Sequence, residues 1–178
     1  DRIELIESAI TGTLAVAQQW VEAACEAKGI ARGTHTESEE WLGGPVLIVR
    51  NLRLLKKSLQ EIREHGRPQL DADAVTTTCS GQTAVRVSPA SGLDKLLFMD
   101  FTGEIWMEPG VTSDNLAETM ATVYQDGASK NGAVSLVLGA GNVASIGPMD
   151  VIHKFFVENE VCILKMNPVN EYLGPFIE

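Results

Sequence analysis

The segment Gly139-Ala140-Gly141-Asn142-Val143-Ala144 has the spacing G-x-G-x-x-A and closes the apolar run AVSLVLG at 133–139. Small residues at a strand-to-helix turn let backbone amides close on a phosphate, and the dipole of the next helix adds to the attraction. The same spacing also describes a tight turn with room only for small side chains. Gly139 and Gly141 are therefore candidate cofactor contacts beside that packing reading. Asn142 stands where open parallel sheets place ligands, at the carboxyl end of a strand. Its amide can donate to a developing oxyanion, or it can cap the helix as an Asx turn. Lys165 ends a second apolar run, VCILK at 161–165. An acid at that place usually accepts from a ribose hydroxyl. Lys can instead meet a 2′-phosphate, donate to hydroxyls, or simply reach for solvent.

The remaining reactive residue types form no further constellation. Cys25, Cys79 and Cys162 are odd in number and widely spaced, so they make neither a disulfide framework nor a C-x-x-C zinc signature. A reducing, cytoplasmic setting is the expectation. His35, His65 and His153 lack metal-ligand spacing, and no metal is expected. Cys162 reads as a core thiol, because no activating base accompanies it. Glu37, Glu39 and Glu40 read as a solvated loop. Glu104 and Glu108 flank Trp106 without a paired-carboxylate spacing. Trp20, Trp41 and Trp106 read as core anchors.

The elements that must position these groups follow from periodicity. Ile3, Ile6, Ile10, Leu14, Ala17, Trp20, Val21 and Ala24 recur at three- and four-residue steps, which predicts a helix over 2–28 stopped by Gly29. The polar, Gly-rich stretch 31–45 reads as a loop, and 46–64 as a second helix ended by Gly66 and Pro68. Thr- and Val-rich runs at 74–79 and 82–88 flank Ser80-Gly81, a hairpin signal. A short helix and a strand-like GEIWMEPG occupy 91–110, and Thr112 or Ser113 is placed to cap a helix to about 125. Run 133–139 reads as a strand buried on both faces, 148–158 as a helix with Pro148 near its first position, and 161–165 as a second buried strand. Strand, helix, strand at this spacing is a βαβ crossover. The stretch 169–178 reads as the next helix.

The expected fold class is therefore α/β: an N-terminal helical region and a β-hairpin leading into the first βαβ unit of a Rossmann-like parallel sheet. The divisions are 1–70 (helical region), 71–132 (hairpin and connecting segment) and 133–178 (start of the cofactor-binding region). A hairpin at 74–88 is marginal unless it packs on something, so it is expected either to make an intersubunit contact of a homo-oligomer or to lie against its own subunit.

With 178 residues the chain is one domain or little more, and 14 basic against 24 acidic residues leave a net charge of −10. That balance argues against nucleic acid and anionic membrane surfaces as partners. No apolar run is long enough for a membrane helix, and no basic leader precedes an apolar stretch. The start at Asp1 and the stop at Glu178, within an apparent helix, suggest a fragment of a longer protein.

Residues 133–178, AVSLVLGAGNVASIGPMDVIHKFFVENEVCILKMNPVNEYLGPFIE, resemble the aldehyde dehydrogenase superfamily, and more narrowly its bacterial acyl-CoA reductase-like members. WLGGPV and GEIWMEPGVT within 41–132 resemble the region upstream in those members. The resemblance implies that Asn142 helps hold the substrate oxygen and that Lys165 contacts the adenosine ribose of NAD or NADP. It implies a small-molecule aldehyde or acyl thioester as substrate. It also implies that the nucleophilic Cys and general-base Glu lie downstream, since no residue here matches either, so this piece alone is inactive. Two departures stand out. Gly141 and Val143 flank Asn142 where the family has Trp and Phe-Pro. Lys165-Met166-Asn167-Pro168 replaces Lys-Pro-Ser-Glu, which removes the acid that accepts from the ribose and leaves both NAD and NADP open. A non-catalytic nucleotide-binding or assembly module, and a conventional Rossmann protein with pyrophosphate on the Gly139–Ala144 turn, are the other readings.

Overall fold

The computed structural model describes residues 1–99, 101–128 and 131–178. They form two compact units, Asp1–Gln60 with Asp126–Glu178, and Glu61–Gln125. Among the described residues no helix is long and apolar enough to cross a membrane.

The first unit opens with α1, Arg2–Lys28, started by a capping box at Asp1 and Glu4 and ended by Gly29 in the left-handed region. Ile3, Ile6, Ala17, Trp20, Val21 and Ala24 form its buried stripe, whereas Leu14 is exposed. The predicted loop at 31–45 contains a helix instead, α2, His35–Trp41. Thr34 enters it in extended backbone, and the Glu37 carboxylate reaches back to the Gly33 amide at 2.6 Å. The turn Leu42–Val46 then kinks at Gly44 before Pro45 and leads into α3, Leu47–His65. Composition alone made this segment look unstructured, because its helix is short and ends in Gly-Gly-Pro.

In the second unit the hairpin signal is met by β1, Val75–Thr77, and β2, Thr83–Ser88, joined through Gly81 at φ +84°. After the short helix α4, Gly92–Leu97, strand β3, Gly103–Trp106, pairs with β2, giving an antiparallel sheet in the order β1-β2-β3. The hairpin is thus part of a three-stranded sheet. The helix expected over 112–125 is replaced by two 3-10 turns, Leu116–Thr119 and Thr122–Tyr124. Asn115 explains part of this. Its side chain accepts from the Thr112 amide at 2.7 Å and donates to the Gly110 carbonyl at 3.0 Å, competing with helical bonding. Ala121 at φ +51° separates the two turns.

The crossover lies in the first unit: β4, Ala133–Leu138, then α5, Ile146–Phe156, then β5, Glu160–Lys165. The strands are parallel, with Ala133 opposite Glu160 and Leu138 opposite Lys165. Pro148 is third in α5, where its missing N–H still falls within the first turn. The expectation of strands buried on both faces is overturned. Val134, Leu136, Leu138, Val161 and Ile163 are exposed, while Val137 on the opposite face is buried. One crossover helix covers one face only, so the apolar run is continuous but its burial is not. After β5 the chain forms a 3-10 turn, Pro168–Leu173, and a single helical turn, α6, Gly174–Ile177, rather than one regular helix.

Candidate functional site

The crossover brings the predicted groups to one edge of the parallel pair. Lys165 is the last residue of β5 and lies in register with Leu138, the last of β4. The loop after β4 carries Gly139, Gly141 and Asn142. Lys165 is exposed, its Nζ 3.4 Å from the Met166 carbonyl, a long contact that leaves the ammonium facing solvent. Asn142 is also exposed, and among the described residues no hydrogen bond holds its amide. The Asx-cap alternative is not realised: α5 is entered through Ser145 with no side-chain cap.

The glycines have a packing reason. Gly139 donates its amide to the Lys165 carbonyl at 2.9 Å, so that N–H is engaged within the protein. A Cβ at Gly139 would meet the Lys165 carbonyl oxygen at 3.2 Å and the Asn167 amide at 3.3 Å. A Cβ at Gly141 would lie 3.1 Å from Asn167 Oδ1. Neither glycine has the positive φ that would by itself demand glycine. Close approach of the two strand ends is what requires small residues here.

Two residues not singled out by type or spacing lie against this loop, and one of them bonds to it. Asn170, 1% exposed, donates to the Ala140 carbonyl at 2.8 Å and faces the Tyr172 hydroxyl at 3.4 Å. Asn167 caps the turn Pro168–Leu173 by accepting from the Val169 amide at 3.0 Å. The signal was the Asn-Pro-x-Asn cluster at 167–170, which reads only as a turn until the fold brings it under the Gly139–Asn142 loop.

Beside this region, Glu40 is buried and both its oxygens take hydrogen bonds from Lys28 Nζ at 2.8 Å. The reading of Glu40 as part of a solvated loop is therefore corrected: α2 turns it inward against α1. Burial alone would pull Lys28 down, but the Glu40 hydrogen bonds and the nearby Tyr172 outweigh it and hold the ammonium above its usual range. Burial pushes the Tyr172 phenol up. Trp20 is a core anchor at 2% exposure, but Trp106 is 60% exposed and is not one.

Cys162 lies beside Ser135 in the β4–β5 register and is half-buried. Burial and then the Glu160 charge push its thiol up, the opposite of nucleophile activation. Cys25, Cys79 and Cys162 are all free. Among the described residues no cluster of His, Cys, Asp or Glu could hold a metal ion. A recess of about 310 Å³ in the second unit, lined by His65, Gly66, Arg67, Ala117, Glu118 and Gln125, contains none of the predicted site residues.

Compared with known protein families, with curated proteins and with solved structures, the chain finds no match.

Proposed function

We propose that the chain is the N-terminal, cofactor-binding part of an NAD(P)-dependent aldehyde dehydrogenase or acyl-CoA reductase-like oxidoreductase, with the βαβ unit as the start of a Rossmann-like sheet. One observation carries the reading. An uncommitted amide, Asn142, and an exposed ammonium, Lys165, stand at the carboxyl edge of a parallel pair, the place where open α/β sheets take ligands. The donors fit the cofactor: Lys165 suits ribose hydroxyls or a 2′-phosphate, and no carboxylate stands at Pro168 to repel that phosphate. When bound, NAD(P) supplies or accepts the hydride. The chain's own part is to orient. Asn142 donates to the substrate oxygen as negative charge develops on it. Lys165 holds the adenosine end, and the Gly139–Gly141 loop, engaged with the second strand, keeps the two groups in fixed relation.

The test is a titration of NADH and NADPH, followed by nucleotide fluorescence, into the full-length enzyme, wild type and Lys165→Ala, because this chain holds only the first part of the cofactor site. Both cofactors should bind, and the substitution should weaken NADPH by on the order of 1–3 kcal/mol, the usual worth of a hydrogen bond to a charged group. Equal affinities in the two proteins would make Lys165 a residue that merely reaches for solvent. If neither cofactor binds the wild type, the assembly-module reading is favoured.

A further inference from the structure

Since no hydrogen bond among the described residues holds the Asn142 amide, the backbone on either side sets its place. Upstream, the Gly139 amide donates to the Lys165 carbonyl at 2.9 Å, and the Ala140 carbonyl accepts from Asn170 Nδ2 at 2.8 Å. Downstream, the Ser145 amide donates to the Gly43 carbonyl at 3.2 Å, and Ala144 and Ser145 are buried. Asn142 is the exposed tip between these anchors. Gly139 and Ser145 are tied backbone to backbone, whereas Ala140 is tied by a side chain and so depends on residue type.

Asn170 is a demanding residue to keep in that place. It is 1% exposed, and a buried primary amide is unfavourable unless both its ends are paired. Here Nδ2 meets the Ala140 carbonyl and Oδ1 faces the Tyr172 hydroxyl at 3.4 Å. Tyr172 is also a hydrogen-bond partner of Lys28, whose ammonium reaches both oxygens of Glu40 at 2.8 Å. A polar chain thus runs from Glu40 in α2, through Lys28 at the end of α1 and Tyr172, to Asn170 and the loop. An apolar residue of the same shape would fill the position at little cost to stability once its partners were apolar too. It would leave the Ala140 carbonyl unheld.

We propose that Asn170 is the positioning residue of the candidate site: it fixes the Ala140 carbonyl and thereby aims the Asn142 amide, two residues on, at the substrate oxygen. The role in turnover rests on the oxidoreductase reading above; the fixing of the loop does not. A donor already aimed at developing charge stabilises it more than one that must first reorganise. Misplacing such a group by about 1 Å costs on the order of 100-fold in rate. The N-terminal helices join the site through this chain, and the turn after α2 adds the Gly43 carbonyl as the anchor on the far side of Asn142.

Backbone nitrogen-15 relaxation of the 178-residue chain and turnover of the full-length enzyme test this, with Asn170→Ala and Asn170→Asp. The aspartate keeps the shape and the acceptor for Tyr172 and replaces the amide donor that reaches Ala140. The wild-type Asn142 amide should show an order parameter near the rigid value of about 0.85. In both variants it should fall below about 0.6, while the amides of α1 stay unchanged. With short aldehydes and NAD or NADP, kcat should fall on the order of 10- to 100-fold with KM unchanged, the pattern of an interaction made in the transition state. In an Asn142→Ala background the same substitutions should cost nothing further, because Asn170 acts through Asn142. A rigid Asn142 amide in the variants, or a mobile one in the wild type, overturns the proposal. So does a rate loss that persists in full in the Asn142→Ala background, which would make Asn170 purely structural. If the alanine variant does not fold, the aspartate variant supplies the same outcomes. A full-length wild type without turnover fails the oxidoreductase reading, and the order parameters then decide this one.

Discussion

Glycine 139 shows how one residue serves the fold at a candidate site. Its missing side chain lets the ends of β4 and β5 come together, and the atoms a methyl would strike, the Lys165 carbonyl and the Asn167 amide, are backbone and cannot swing aside. Gly139→Ala should therefore destabilise by about 1–3 kcal/mol, the usual cost of forcing volume into a packed place. Gly12 is the contrast: it lies within α1, and a Cβ there would meet nothing within 4 Å. Gly12→Ala should stabilise by roughly 0.5–1 kcal/mol, from helix propensity alone. Urea midpoints of the two variants check the opposite signs. A neutral Gly139→Ala would remove the packing reason and return that glycine to a ligand role. The G-x-G-x-x-A spacing was legible in the sequence, but a phosphate turn and a close strand approach share it. Only the neighbour across the turn separates them.

Among the elements, α4 depends most on its cap. It spans Gly92–Leu97 and buries only an acid, so little apolar packing within the chain secures it. Ser91 Oγ accepts from the Asp94 amide, and the Asp94 carboxylate accepts from the Ala90 amide just before the helix. Ser91→Ala should cost about 1 kcal/mol, the usual loss for an N-cap, read as a lower urea midpoint. An unchanged midpoint would mean that Asp94 alone holds the turn. The short helix in 91–110 was expected from the sequence. Its inverted orientation was not, because an apolar helix normally turns inward and only the pinned Asp94 reverses that preference. The same limit applies to β4 and β5. Their apolar runs mark strands, yet a run of Val and Leu does not say how many faces are covered.

At the scale of the whole molecule, ionisation sets the pH range of the fold. Glu22, Glu37, Asp73 and Glu158 are held below the usual carboxylate range, led by hydrogen bonds from Gln18, the Gly33 amide, Arg86 and Lys154 respectively. A carboxyl lowered in the folded state favours folding above its unfolded value, and that contribution disappears as pH falls through the folded one. Lys28 works in the other direction. It is raised, so its contribution is present below the ordinary lysine value and is lost as pH rises through the folded one. Thermal melts should therefore hold a plateau through neutral pH, fall below about pH 4, and fall again above about pH 10. A melting temperature that climbed steadily from pH 7 to pH 3 would contradict the carboxylate assignments.

Local periodicity and special residues carry the part of this fold that can be read along the chain. They mark α1 through its apolar stripe and Gly29, the hairpin through Ser80-Gly81 between Thr- and Val-rich runs, and the crossover through two apolar runs around a helix. They also single out Asn142 and Lys165 by type and position. The tertiary structure decided the rest, because those outcomes depend on partners far along the chain. Glu40 is buried because Lys28, twelve residues earlier, neutralises it. The Gly139 loop is held because Asn170, some thirty residues later, reaches the Ala140 carbonyl. One face of β4–β5 is bare because α5 covers only the other, and side-chain hydropathy records the capacity to be buried, not the presence of a neighbour.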